Sequence, residues 1–363
     1  MPKTSKSKNK SKKSKKRKGK KSKVNWRVKA LFGTDSTKYD KVTQQMKNFV
    51  SMSRQTSPVF HLQMDLVKDI RSYIQTRIQD CSVEMVGATA AFLALDDSPV
   101  EILFSQKTHL VEPTSQSGYE IIEAIEACPC VEQVKVEFKD SNRQKIFISF
   151  IYNTYLRKFR VQLFADDVGL LYTTYLFRSY SELDERFHFV VITAKEWALQ
   201  HEILISKGGL LSEHALTIMV IFYFQIGLDN PIFHSLQVDD PEKFSSDLSN
   251  IPKWRVKKFK ESFPVIRTNK CGLGDLFAGF INFYANFNFE KFEINIRVGK
   301  LAPRVLKNAN YLSKRIVVRE PFDDKITTNY ITSIDNLEKI TQAFKTAYTV
   351  IENELSTETL LTF

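Results

Sequence analysis

The chain has 363 residues, 43% of them hydrophobic and 28 of them Phe, and a formal net charge of +12. That length and apolar content are enough for a sizeable core and two domains, which excludes a wholly disordered chain. The charge is local: 13 of the 53 Lys and Arg lie in residues 1–24, which hold no acid, leaving 40 bases against 41 acids in the rest.

The N-terminal stretch contains Lys12, Lys13, Lys15, Lys16, Arg17 and Lys18 and almost no apolar side chain. Such a segment cannot bury enough surface to offset chain entropy, so residues 1–38 are expected to form a disordered basic tail. Its chemistry suits electrostatic attraction to RNA phosphates, and Lys15 to Lys18 also reads as a nuclear import signal. It lacks the apolar run of a signal peptide, and the most apolar stretch, Ile218 to Ile226, is too short to span a bilayer and contains Gln225. No membrane partner is expected. The four cysteines, Cys81, Cys128, Cys130 and Cys271, have no zinc-ligand spacing, which points to a reducing, intracellular setting, cytoplasmic or nuclear.

Helical periodicity covers Tyr39 to about Ser53 and His61 to Asp80, where Leu62, Leu66, Ile70, Ile74 and Ile78 recur on one face, with Ser57-Pro58 between the two. Val86 to Ile102 then has the form of strand, Gly turn, short helix and second strand. Such a unit can present backbone N–H groups to a phosphate. A helix from Tyr119 to Ala127, ended by Cys128-Pro129, leads to three strands at Val131–Phe138, Ile146–Tyr152 and Phe159–Phe164. From Thr173 onward the period is helical again, through Thr174–Leu183, Arg186–Gln200, Ser212–Gln225, Leu273–Phe287 and Ile334–Leu355, with a Pro-containing loop region from Asn230 to Trp254. The Phe-rich run from Phe277 to Phe292 reads as core. Neither Leu273-Gly274 nor Gly208-Gly209 precedes the Lys-Ser/Thr of a phosphate loop.

Several motifs occur in one particular order. Gly87-Ala88 opens the short helix, and Thr174-Tyr-Leu-Phe-Arg-Ser-Tyr180 is followed by Leu183-Asp184-Glu-Arg186, Lys195-Glu-Trp197-Ala198 and Ser206-Lys207-Gly208. Leu273-Gly274-Asp-Leu276, Phe283-Tyr284-Ala285 and Glu320-Pro321-Phe322-Asp323 complete the series. Over roughly Tyr39 to Ile351 this resembles the noncanonical poly(A) polymerases and terminal uridylyltransferases, a branch of the DNA polymerase β-like nucleotidyltransferases. The resemblance implies an α+β protein: a mixed-sheet nucleotidyltransferase domain over residues 81–184 and a helical poly(A)-polymerase-associated domain over residues 185–350. The helices of residues 39–80 are expected to pack on the helical domain, and residues 351–363 to form a C-terminal tail.

The resemblance also implies a site. The family holds two Mg²⁺ ions with three Asp residues, because phosphoryl transfer rests on positioning and charge neutralisation. Here those three positions carry Pro99, Glu101 and Gln162. Glu101 is the retained carboxylate and the candidate catalytic or metal-binding residue. Asp96, Asp97, Asp166 and Asp167 are near in sequence, but acids at strand and helix ends are usually turn residues. Nucleotide-facing positions correspond to Gly87, Ala88 (Ser in the family), Thr173 (Asn), Lys195, Lys207, His214 (the base-stacking Tyr) and Asn329, and for Lys195 and Lys207 the structural alternative is an ordinary exposed charge. Thr328-Asn329 is closer to the Thr-Asn of adenylyl than to the His-Asn of uridylyl transferases. The expectation is a catalytically inactive member that binds RNA or a protein partner such as an active sister polymerase. The alternative is an active RNA 3′-terminal adenylyl- or uridylyltransferase using ATP or UTP with Mg²⁺ or Mn²⁺. An inactive member requires no cofactor.

Overall fold

The computed structural model describes residues 38–106, 116–138, 146–165, 167–204, 208–246, 269–304, 316–323 and 325–352. The basic tail lies outside the described residues.

Helices α1 (Asp40–Ser53) and α2 (Ser57–Gln75) come first. Pro58 does not separate them from outside. It sits in the first turn of α2, where its missing N–H has no helical partner to lose, so the helix starts four residues earlier than the apolar period suggests. Strand β1 (Cys81–Val86), the one-turn helix α3 (Gly87–Ala90) and β2 (Val100–Gln106) follow, then α4 (Gln116–Glu126) and strands β3 (Val131–Phe138), β4 (Ile146–Asn153) and β5 (Lys158–Ala165). The sheet order is β1-β2-β5-β4-β3. Only the central β2–β5 pair is parallel; the other three are antiparallel, so the sheet is mixed.

The alternation of side chains along these strands divides them between two cores. Ile102, Phe104, Ile148, Phe150, Val161 and Leu163 face one side and are buried against α2 and α4. Leu103 and Phe164, one residue out of phase, face the other side and join the core of the helical body. That body is built from α5 (Val168–Leu183), α6 (Glu185–Gln200), α7 (Glu213–Ile226), the short α8 (Leu236–Asp239), α9 (Leu273–Ala285) and α10 (Ile334–Glu352), with the two-stranded β6–β7 ribbon at Phe292–Glu293 and Ala302–Pro303.

The segment 39–80 is divided between these cores. Helix α1 packs on the helical body through Tyr39, Val42 and Met46. At their closest approach the Gly274 amide donates to Thr43 Oγ1 at 2.9 Å, and a Cβ at Gly274 would collide with the Tyr39 backbone. Helix α2 instead lies on the sheet through Leu66, Val67, Ile70 and Ile74, with the Arg71 guanidinium donating to the Val83 carbonyl at 3.0 Å. The expectation of both helices on the helical domain does not hold for α2, whose apolar face meets the sheet. Helix α5 likewise starts at Val168 and buries Leu176, Phe177 and Tyr180 in the helical core, ahead of the boundary drawn at residue 184.

Candidate nucleotidyltransferase cleft

The candidate site lies on the helical-body face of the sheet, the face that Leu103 and Phe164 share with Glu101 and Gln162. Register fixes its floor. In the parallel pair Glu101 lies directly opposite Gln162, and in the antiparallel pair Val86, which leads into Gly87, lies opposite Glu101. Pro99 stands just before β2. Glu101 and Gln162 are thus neighbours across β2 and β5, with Pro99 two residues before Glu101 in the chain, and one carboxylate stands among the three aligned positions.

That carboxylate is already engaged. The Ala88 amide donates to Glu101 Oε2 at 3.1 Å, and Gly87, at φ +70°, leaves room where a Cβ would overlap the same carboxylate. Gly87 N–H itself donates to Thr174 Oγ1 at 2.8 Å, and the Thr174 hydroxyl donates back to Leu170 O. The backbone of the turn that could meet a phosphate therefore points at Glu101 and at α5. Thr174 is a positioning residue here. Thr173, the position aligned with the ribose-contacting Asn, is buried within α5.

The other carboxylates do not complete a metal site. Asp96 pairs with Arg157 at 2.6 Å, Asp97 is exposed and its carbonyl accepts from Arg160 at 2.7 Å, and Asp167 stands at the N-cap of α5. Asp166 lies outside the described residues. Among the described residues no group of three or more His, Cys, Asp or Glu is gathered as metal ligands. Mg²⁺ needs several hard oxygen donors in near-octahedral geometry. Pro99 supplies none, Gln162 supplies one neutral oxygen, and Glu101 holds the Ala88 amide, so the donor set does not fit the two-ion arrangement.

The nucleotide-facing candidates are partly assembled. Lys195 on α6 is not an exposed charge: only 3% of it is accessible. Its ammonium donates to Leu93 O at 3.1 Å and pairs with Glu213 Oε2 at 2.8 Å. The Lys195 charge, outweighing burial and helped by Arg160, holds the Glu213 carboxyl below its ordinary range. Glu213 starts α7, where Ser212 caps the helix by accepting from the Ala215 amide, and an acid in the first turn is locally favoured. His214, the next residue, stacks near Phe177 at 5.4 Å and contacts Glu320 Oε2 at 3.0 Å. Burial pushes the Glu320 carboxyl up, but the His214 contact and Thr327 more than offset it, leaving the group below its ordinary value. Thr328 is fully buried, with its hydroxyl donating to Ile316 O and accepting from Val318 N, so it ties two backbone segments together. Asn329 beside it is exposed. Lys207 and the basic residues Lys12 to Lys18 lie outside the described residues.

Sequence reading singled out neither Glu213 nor Arg160. Glu213 lies between two motif residues, Ser212 and His214, and this adjacency was the available signal. Arg160 sits two residues before Gln162 on the same face of β5, a relation legible once the strand is assigned.

A Gly turn and one-turn helix between two strands of a mixed sheet, facing a helical body across a cleft, define a polymerase-β-like nucleotidyltransferase fold with a poly(A)-polymerase-associated domain. Known proteins agree. Residues 272–325 match the family described as Cid1 family poly A polymerase. The chain is 26% identical over 309 residues to poly(A) RNA polymerase gld-2 homolog A of Drosophila melanogaster, covering 82% of this chain and 22% of that protein. It is 31% identical over 198 residues to poly(A) RNA polymerase GLD2 of Rattus norvegicus, covering 52% of this chain and 38% of that one. The chain thus spans well under half the length of these relatives. Among solved structures, the Cid1 poly(U) polymerase bound to MgATP superposes with a TM-score of 0.75 at 19% identity, and GLD-2 in its complex with RNP-8 with 0.76 at 21%; each covers 89% of this chain and 98% of the other. The chain thus shares the fold of the Cid1 and GLD-2 structures, and its sequence is similar to poly(A) RNA polymerases of the GLD2 type over part of their length.

Proposed function

We propose that this chain is a catalytically inactive member of its family, keeping the polymerase fold as a scaffold that binds RNA or a protein partner in RNA metabolism. The observation that carries this reading is the state of Glu101. It is the one acid among the three aligned positions, and its carboxylate accepts from the Ala88 amide opposite a neutral Gln162. Two-metal phosphoryl transfer with one pre-engaged carboxylate has too few ligands to hold the ions or to neutralise the developing charge. A displacement of only about 1 Å is costly for such chemistry, and Asp96 is tied to Arg157. The relatives support the partner side of the reading: GLD-2 was solved as a complex with RNP-8. An active sister polymerase is a partner of the same kind.

The test is extension of a labelled single-stranded RNA with each of the four nucleoside triphosphates, in Mg²⁺ and in Mn²⁺, with Glu101→Ala alongside. No added nucleotides are expected from either protein, while RNA shift assays detect a complex that weakens as salt rises. Tailing by the wild type that disappears in Glu101→Ala would overturn the reading and make Glu101 a metal ligand in an active transferase using ATP or UTP.

A further inference from the structure

The groups of this cleft best suited to an anionic ligand already hold carboxylates from the chain itself. The Ala88 amide holds Glu101 at 3.1 Å. The Lys195 ammonium, almost wholly buried, holds Glu213 at 2.8 Å. His214 holds Glu320 at 3.0 Å. Arg160, on the cleft face of β5, lies close enough to Glu213 for its charge to act on it. A helix-start acid is ordinary, and the dipole of α7 accounts for Glu213 being acidic. It does not account for a side chain that is 55% exposed reaching back to a lysine that is 4% exposed. A buried ammonium needs a counter-ion, and in a nucleotide-binding cleft a phosphate could supply it. Here Glu213 of the chain itself supplies it.

We infer that Glu213, together with Glu101, acts as a built-in substitute for a nucleotide's phosphates, so that the cleft excludes nucleoside triphosphates by its own charge. A polyanion entering would have to displace both carboxylates and then lie beside them, which is discrimination by repulsion as much as by lost contacts. Lys195 is then a latent phosphate site, uncovered when Glu213 is neutralised. The inference rests on the inactive reading of the chain and names the residues that keep nucleotide out. Glu213 is the decisive one, since its partner is a full positive charge, whereas the Ala88 partner of Glu101 is a neutral amide.

The experiment is titration of the full chain with the fluorescent analogues mant-ATP and mant-UTP, each with Mg²⁺ and with EDTA. The wild type is compared with Glu213→Gln, Glu101→Gln and the double variant, and thermal melts verify that each is folded. The wild type is expected to show no saturable binding up to about 1 mM, and the double variant to bind at least tenfold more tightly, about 1.4 kcal/mol. Glu213→Gln alone should give most of the gain, and adding Lys195→Met to the double variant should abolish it. Wild-type binding as tight as that of the double variant, a folded double variant that still does not bind, or a gain that survives Lys195→Met would each overturn the inference. The two proposals fail separately: wild-type tailing of RNA sinks the inactive reading, whereas wild-type nucleotide binding as tight as that of the double variant, without tailing, sinks this inference alone.

Discussion

The helical body and the region around Glu101 are built differently. In the body, Trp197 is fully buried with its ring 4.8 Å from Phe344, and Phe344 is in turn 5.8 Å from Phe280 and 5.5 Å from Tyr284. Phe187, Phe224 and Phe233 form a second set of rings at 5.2–5.9 Å. Each ring is in contact with several others, so none can change size without disturbing its neighbours. In the cleft, Ala88, Pro99 and Gln162 stand where the family has Ser and Asp, and the strands around them keep an uninterrupted register. Glu101 and Gln162 are half-buried and lie outside the ring-to-ring packing of the helical body. That asymmetry is what the inactive reading proposed above requires.

The comparison breaks if stability depends equally on both regions. Trp197→Ala is expected to cost about 3–5 kcal/mol of unfolding free energy, the usual range for truncating a buried aromatic, whereas Gln162→Ala should cost less than about 1 kcal/mol. Urea denaturation of the two variants beside the wild type measures both. A Gln162 variant as destabilised as Trp197→Ala would mean that the aligned metal positions have been rebuilt as core.

A smaller effect, about 3 kcal/mol, is expected from Arg186→Ala. The Arg186 guanidinium pairs with Asp184 at 2.7 Å and donates to the carbonyls of Asn269 and Cys271, just ahead of α9. Both side chains of the pair are largely shielded from water, so removing one leaves Asp184 an uncompensated charge at the start of α6. Hydrogen exchange should quicken at the first turn of α9 more than at α7. Uniform acceleration over all helices would show that the pair contributes to global stability rather than holding this junction.

The sequence made the framework legible because packing repeats with the period of its element. The helices α1, α4, α6, α7 and α9 follow their apolar spacing, and the strands β3, β4 and β5 their apolar runs, to within a few residues. The motif alignment assigned Glu101 and Gln162 to one site, and the structure pairs them across β2 and β5. What could not be read was the use of individual side chains. Lys195 has two readings in the sequence, nucleotide-facing or exposed charge, and neither states that it is buried, while Glu213 carries no sequence reading until its oxygen is seen at that ammonium. The side of the sheet chosen by α2 was equally hidden, since an amphipathic stripe states that a face is buried and not against what.

The smallest effect expected bears most directly on the cleft. Glu213 has a folded-state pKa lowered by Lys195 and Arg160, whereas in the unfolded chain it titrates near about 4.3. A carboxylate depressed by folding contributes stability that is present above its unfolded value and lost as pH falls through its folded value. The difference in urea midpoint between the wild type and Glu213→Gln should therefore be constant near neutrality. It should shrink as pH drops below the ordinary glutamate range and approach a limit set by side-chain shape alone. The change is modest because Glu213 is 55% exposed and water screens the pair. In a Lys195→Met background the acid limb should move up toward the ordinary value, since the cation that holds it down is gone. Superimposable pH profiles for the wild type and Glu213→Gln would mean that the carboxylate is not the counter-ion of Lys195 in solution, and the built-in phosphate substitute would fail with it.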